Sequence, residues 1–171
     1  MSDLDPTPRT PLAPDADDHQ VAAWAATEAG HLLLQVRQQG LEGRELKDAG
    51  DQLGHAILMR LLADYRPDDA VLSEEGKDDK ARLASRRVWI VDPLDGTREF
   101  SEPPRDDWAI HVALWQDGDL VAGAVAQPGM ATTFSTATSH RGSATGGTTS
   151  ATRRGRRRGG RRGRPARAAG P

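Results

Sequence analysis

Residues 87–100 read Arg87-Val88-Trp89-Ile90-Val91-Asp92-Pro93-Leu94-Asp95-Gly96-Thr97-Arg98-Glu99-Phe100, a β-rich run that ends on two aspartates three positions apart. The apolar stretch Val88–Val91 predicts a strand that delivers Asp92 and Asp95 onto a turn, where both carboxylates can face one side. Pro93 fixes φ and stiffens the approach, while Gly96 permits tight geometry and close access by a ligand. Thr97 then falls at or near a helix start, where free backbone N–H groups favour an anion such as phosphate. Hard oxygen ligands beside an anion site suit Mg²⁺, which keeps water and substrate phosphate among its ligands.

Upstream, Leu72-Ser73-Glu74-Glu75-Gly76 places two further carboxylates at the end of another short apolar stretch, Ala70–Ser73. Taken singly, an Asp-x-x-Asp pair is usually a solvated turn and Glu74-Glu75 an ordinary acidic loop. Together, each at a strand end, they are far more specific, because open sheets hold ligands beyond the carboxyl ends of their strands. Two other acidic-turn chemistries fail on spacing. An EF-hand loop starting at Asp92 needs an oxygen ligand at its third position and Glu at its twelfth, where Leu94 and Pro103 stand. An aspartyl-nucleophile phosphatase needs Asp-x-Asp-Gly-Thr, and here both Pro93 and Leu94 intervene.

Working outward, residues 18–66 read as helical. Val21, Trp24, Ala25, Glu28, Leu32 and Val36 follow helical spacing, Asp17 or Asp18 can cap the start, and Gly40 suits the stop. A second helix is expected after a loop Leu41–Gly50, with Asp51 in its N-cap region. Its stripe is Leu53, Ile57, Leu58, Leu61, Leu62 and Tyr65, and Pro67 ends it. Trp108–Trp115 and Leu120–Ala126 read as strands joined at Asp117-Gly118, a favoured hairpin pair. The fold expected from these residues is α+β: two helices on a mostly antiparallel sheet of residues 70–73, 87–91, 108–116 and 120–126.

The near-neutral charge of the 171 residues hides a split. Up to position 140 there are 13 basic against 25 acidic residues, whereas positions 141–171 hold ten arginines and no acid. Absence of cysteine excludes disulfides, thiolate metal sites and a cysteine nucleophile. No run is long and apolar enough for a membrane helix, and the Asp- and Pro-rich start lacks the pattern of a signal peptide, so a cytoplasmic protein is expected. Residues 1–17 read as a disordered leader, 18–130 as the folded domain and 131–171 as a disordered Arg/Gly/Ala-rich tail.

The central motif resembles the signature of the inositol monophosphatase family of Mg²⁺-dependent phosphatases. Trp89 to Thr97 carries the resemblance, Ser73-Glu74-Glu75 looks like that family's Gly-Glu-Glu element with Ser for Gly, and Lys47–Asp51 partly matches its Asp-bearing loop. Arg98-Glu99-Phe100 and Asp107–Leu114 look like the bacterial (actinobacterial-type) branch acting on 3′-phosphoadenosine 5′-phosphate (PAP), the 3′(2′),5′-bisphosphate nucleotidases. The resemblance implies the N-terminal part of a layered αβαβα sugar-phosphatase fold. It implies hydrolysis of the 3′-phosphate of PAP to AMP, in support of sulfate assimilation, with inositol 1-phosphate as the alternative substrate. Attack is then by a metal-activated water, without a phosphoenzyme. The implied metal ligands are Glu74, Asp92, Asp95 and the Leu94 carbonyl. Glu74 also activates the water, Thr97 paired with Asp51 polarises it, and the Gly96 and Thr97 amides bind phosphate. A homodimer is left open.

Other residues read as bland. His111 is expected to be a half-buried strand histidine with a satisfied hydrogen bond, and Trp89, Trp108 and Trp115 are expected in packing. Arg98 and Lys47 suit either solvent or a second phosphate, and His19, His31 and His55 carry no spacing signal. The family's later Trp-Asp element is absent, and no acid follows Asp119. A truncated or frameshifted product with impaired activity is therefore expected. The competing class is a nucleic-acid-binding protein acting through the Arg/Gly tail, which has no aromatic residue from Arg141 onward.

Overall fold

The computed structural model describes Leu4 and residues 7–76 and 80–137. Helix α1 (Asp18–Arg37) starts on a capping box: Asp17 accepts from the Gln20 N–H, and the Gln20 side chain accepts from the Asp17 N–H. Helix α2 spans Gly43–Tyr65. The strands are β1 (Ala70–Ser73), β2 (Arg87–Asp95), β3 (Ala109–Gln116), β4 (Asp119–Gln127) and β5 (Thr132–Ser135). A single helical turn, α3 (Thr97–Phe100), follows β2. The sheet runs β1-β2-β3-β4-β5, with β1 parallel to β2 and every other pair antiparallel. Both long helices pack on one face of it, as the α+β reading expected.

The alternation of β2 explains the layering. Trp89 and Val91 point to the helices and are buried, as are Ile110, Val112 and Leu114 of β3 and Ala122, Ala124 and Ala126 of β4. These meet Leu33 and Val36 of α1 and Leu58, Leu61 and Leu62 of α2 in one core. Burying each large apolar side chain contributes about 1.5–3 kcal/mol, so this single interface dominates the stability. Arg87 ties the layers at their edge, bonding Asp69 at 2.8 Å and Asp18 at 3.0 Å.

Three expectations are corrected. The helix expected from Asp51 begins eight residues earlier, so Asp51 sits mid-helix and not at an N-cap. Leu46 is fully buried and Ala49 packs against the core, while Arg44, Glu45, Lys47 and Asp48 face solvent, so 43–50 forms a serviceable amphipathic turn. The leader is ordered over 7–17. Buried Glu28 accepts the Arg9 and Thr10 N–H groups, Trp24 Nε1 donates to the Thr10 carbonyl, and the Tyr65 hydroxyl donates to the Leu12 carbonyl. Likewise, the first residues of the expected tail form β5, paired with β4 through Phe134 opposite Val125. The Arg-rich remainder, 138–171, lies outside the described residues.

Candidate active site

Parallel pairing of β1 with β2 sets Ser73 opposite Val91, so the residues that follow each lie side by side: Glu74 just past the end of β1, and Asp92 still in β2, opposite His111 of β3. The Glu74 N–H extends that pairing by donating to the Val91 carbonyl at 3.2 Å. Glu74, Asp92, Asp95 and His111 then border one cleft of about 540 Å³, floored by Ile90 and Ala113. Asp95 ends β2 beyond an irregularity in the β2–β3 register, which lets the strand bend where its carboxylates are presented.

The end of β2 and the residues just after it are locally specified. Leu94 N–H donates to Asp92 Oδ1 at 3.1 Å, and Thr97 Oγ1 donates to the Leu94 carbonyl at 3.0 Å. Gly96 adopts φ +82°, a conformation that disfavours any side chain, and caps α3. Trp108 backbone and side chain would lie 3.2 Å from a Cβ there. The Leu94 side chain is core, so only its carbonyl is available to a ligand.

Helix α2 meets this turn through small residues. A Cβ on Gly50 would fall 2.5 Å from the Phe100 ring and 2.8 Å from Leu94, and one on Gly54 would fall 3.2 Å from the Pro93 carbonyl. That close approach brings Asp51 to Thr97. Burial raises the Asp51 pKa and the nearby Glu75 charge adds to it, against Lys47 and the Thr97 hydroxyl. Thr97 has one proton and two acceptors, Asp51 and the Leu94 carbonyl. With that proton on Leu94, Asp51 Oδ1 is buried and unpartnered.

Asp92 is likewise pushed above its usual value, first by burial and then by the charges of Glu74 and Asp95. The Leu94 N–H and His111 pull the other way. His111 Nε2 lies 3.1 Å from Asp95 Oδ2. The histidine read as satisfied is satisfied, by a residue of the cleft. His55, which carries no spacing signal among the histidines, also has a partner at the site: its Nδ1 is 2.8 Å from Ser73 Oγ. Its i, i+4 spacing from Asp51 was the available signal. Trp89 and Trp108 are buried as expected, and Arg98 pairs with Glu102.

Glu74, Asp92 and Asp95 share the cleft, and Asp51 lies by Thr97, whose hydroxyl is given to the Leu94 carbonyl. Among the described residues, no three acidic or histidine side chains converge closely enough to hold an ion. The donor chemistry nevertheless fits Mg²⁺. It comprises hard oxygens, an Asp92 carboxyl whose pKa burial raises and the Glu74 and Asp95 charges raise further, and an orphaned Asp51 oxygen.

Residues 17–161 match a model described as the inositol monophosphatase family. The chain belongs to the inositol monophosphatase family. It is 56% identical over 101 residues to a 3′-phosphoadenosine 5′-phosphate phosphatase of Mycobacterium leprae, covering 58% of this chain and 37% of that protein. Among solved structures it resembles inositol monophosphatase II of Staphylococcus aureus, at TM-score 0.61 and 27% identity over 67% of this chain and 44% of that one. It also resembles CysQ of Bacteroides thetaiotaomicron, at TM-score 0.55 and 32% identity over 65% and 42%. The chain thus spans less than half the length of these relatives. The family and these relatives are phosphatases, and no helix of the described residues is long and apolar enough to cross a membrane.

Proposed function

We propose that these residues carry part of a Mg²⁺-dependent phosphomonoesterase site that hydrolyses the 3′-phosphate of PAP to AMP, a cytoplasmic step serving sulfate assimilation. The observation that carries the reading is that Glu74, Asp92 and Asp95 border one cleft, Glu74 just past the end of β1 and both aspartates in the last stretch of the parallel β2. The PAP assignment is supported by the 56% identity to the mycobacterial enzyme. The likeness to S. aureus inositol monophosphatase II keeps inositol 1-phosphate as the second substrate reading.

In this reading Glu74, Asp92, Asp95 and the Leu94 carbonyl hold Mg²⁺, which supplies positive charge to the phosphate and lowers the pKa of water. The remaining work falls to the chain. Once the Leu94 carbonyl is otherwise engaged, the Thr97 hydroxyl is free to donate to Asp51. Its oxygen then turns a lone pair to the attacking water and orients it. The Glu74 carboxylate takes the water proton, and the Gly96 and Thr97 N–H groups hold the phosphate oxygens. In-line displacement needs charge at both the entering and leaving oxygens. No acid follows Asp119, so we expect the 171 residues alone to turn over feebly.

The test is phosphate release from PAP and from inositol 1-phosphate with Mg²⁺, using Asp95→Asn as the blank. The reading expects slow release that exceeds the blank and favours PAP. Release no faster than the blank refutes it, and turnover near ~1 s⁻¹ refutes the expectation of impairment.

A further inference from the structure

One face of α2 serves both acidic turns. Asp51 and His55 lie one helical turn apart, and Gly50 and Gly54 beside them let that face press on Leu94 and Pro93. Asp51 meets Thr97 of the second turn, and His55 meets the first. Its Nδ1 is 2.8 Å from the Oγ of buried Ser73, the serine that stands where the family pattern has glycine. The Cε1 of the same ring would lie 3.1 Å from a Cβ on Gly76. The imidazole therefore bonds one end of the turn Ser73–Gly76 and leaves no room for a side chain at the other; the turn is closed by the Gly76 N–H on the Ser73 carbonyl at 3.2 Å. Glu74 lies inside that turn with an exposed side chain, so the backbone below it sets where its carboxylate points.

We infer that His55 is a positioning residue: its bond to Ser73 clamps the Ser73–Gly76 turn to α2 and so aims Glu74 at Asp92 and Asp95. The inference rests on the proposed reading of Glu74 as a metal ligand. Residues that orient a ligand from behind typically change metal affinity by about 10–100-fold, whereas a contact that only packs a helix changes stability alone. Either tautomer of His55 can make the bond, because the serine hydroxyl both donates and accepts. An asparagine side chain places a polar group near the Nδ1 position and can keep it; alanine cannot.

The experiment titrates Mn²⁺, as the probe, against the full chain by electron paramagnetic resonance. Amide hydrogen exchange at Glu74 and thermal unfolding are followed in parallel. His55→Ala and Ser73→Ala should each weaken Mn²⁺ binding about tenfold and speed exchange at Glu74. His55→Asn should restore both, and the double alanine variant should be no worse than either single one, since both remove the same bond. Asp92→Asn should weaken binding in every background. Unchanged Mn²⁺ affinity in the alanine variants, beside a loss in Asp92→Asn, overturns the role of His55 and leaves the ligand reading standing. An Asp92→Asn chain that binds like wild type overturns the ligand reading, and unchanged exchange at Glu74 overturns the clamp independently. Should His55→Ala fail to fold, Ser73→Ala decides, because it leaves α2 untouched.

Discussion

The two faces of the sheet are built from the same strands and have opposite fates. Toward the helices, Trp89, Val91, Ile110, Val112 and Leu114 are buried without exception. On the other face Ile90 is 38% exposed and Phe134, on β5, 60% exposed. Both faces are apolar, so hydropathy alone does not separate them. What separates them is that α1 and α2 cover only one. The covered face supplies the stability, and the open face carries the carboxylate cleft at one end, with Ile90 and Ala113 as its floor.

Truncating neighbours on one strand should separate the two faces most clearly. Trp89→Ala empties the covered face and should cost about 3–5 kcal/mol in chemical denaturation. Ile90→Ala, one position on, should cost well under half of that. Equal losses would mean that the helices are not what makes the faces unequal.

Gly50→Ala probes where the covered side meets the site. The added methyl would collide with Phe100 and Leu94, so we expect a loss of about 1–3 kcal/mol. Divalent-ion affinity should fall with it, because the turn carrying Asp92 and Asp95 must move. A variant as stable as wild type would show that α2 does not seat on that turn.

Asp18 holds the rim of the covered side. Burial works to raise its pKa, but the hydrogen bonds and charges of Arg66 and Arg87 outweigh it and hold the carboxyl below its ordinary value. The folded chain therefore keeps Asp18 ionised where the unfolded chain takes up a proton. Wild type should exceed Asp18→Asn in stability by its full margin above about pH 4, and the margin should shrink as pH falls through the lowered folded-state pKa. Denaturant midpoints of both chains from pH 7 downward check this. A margin that grows on acidification would contradict it. The smallest effect is expected on the open face, where Phe134→Ser should change stability by no more than about 0.5 kcal/mol.

The sequence was most legible where local pattern and burial agree. The helical stripe of α1, the strand before Asp92 and the Asp117-Gly118 hairpin all announce themselves within a few residues. The first turns of α2 did not, because Gly43 and Gly50 and a run of charges mimic a loop; only the burial of Leu46 and the seating of Gly50 on Phe100 make helix the better state. Strand β5, Thr132–Ser135, is short and polar, and β4 recruits it. The ordered leader depends on Glu28, whose partners lie 18 and 19 residues away. In the candidate site, the acids stand in a local sequence motif. Their neighbours could not: His111 reaches Asp95 across 16 positions and His55 reaches Ser73 across 18, contacts that only the folded chain creates.

We propose that the turn after β1 and the end of β2 form one divalent-cation site. Calorimetric titration of Mg²⁺ against the wild-type chain and Asp92→Asn tests it most directly. Saturable binding by wild type and at least tenfold weaker binding by the variant are expected, since one ligand and its charge are lost. Equal, weak binding by both chains would contradict it.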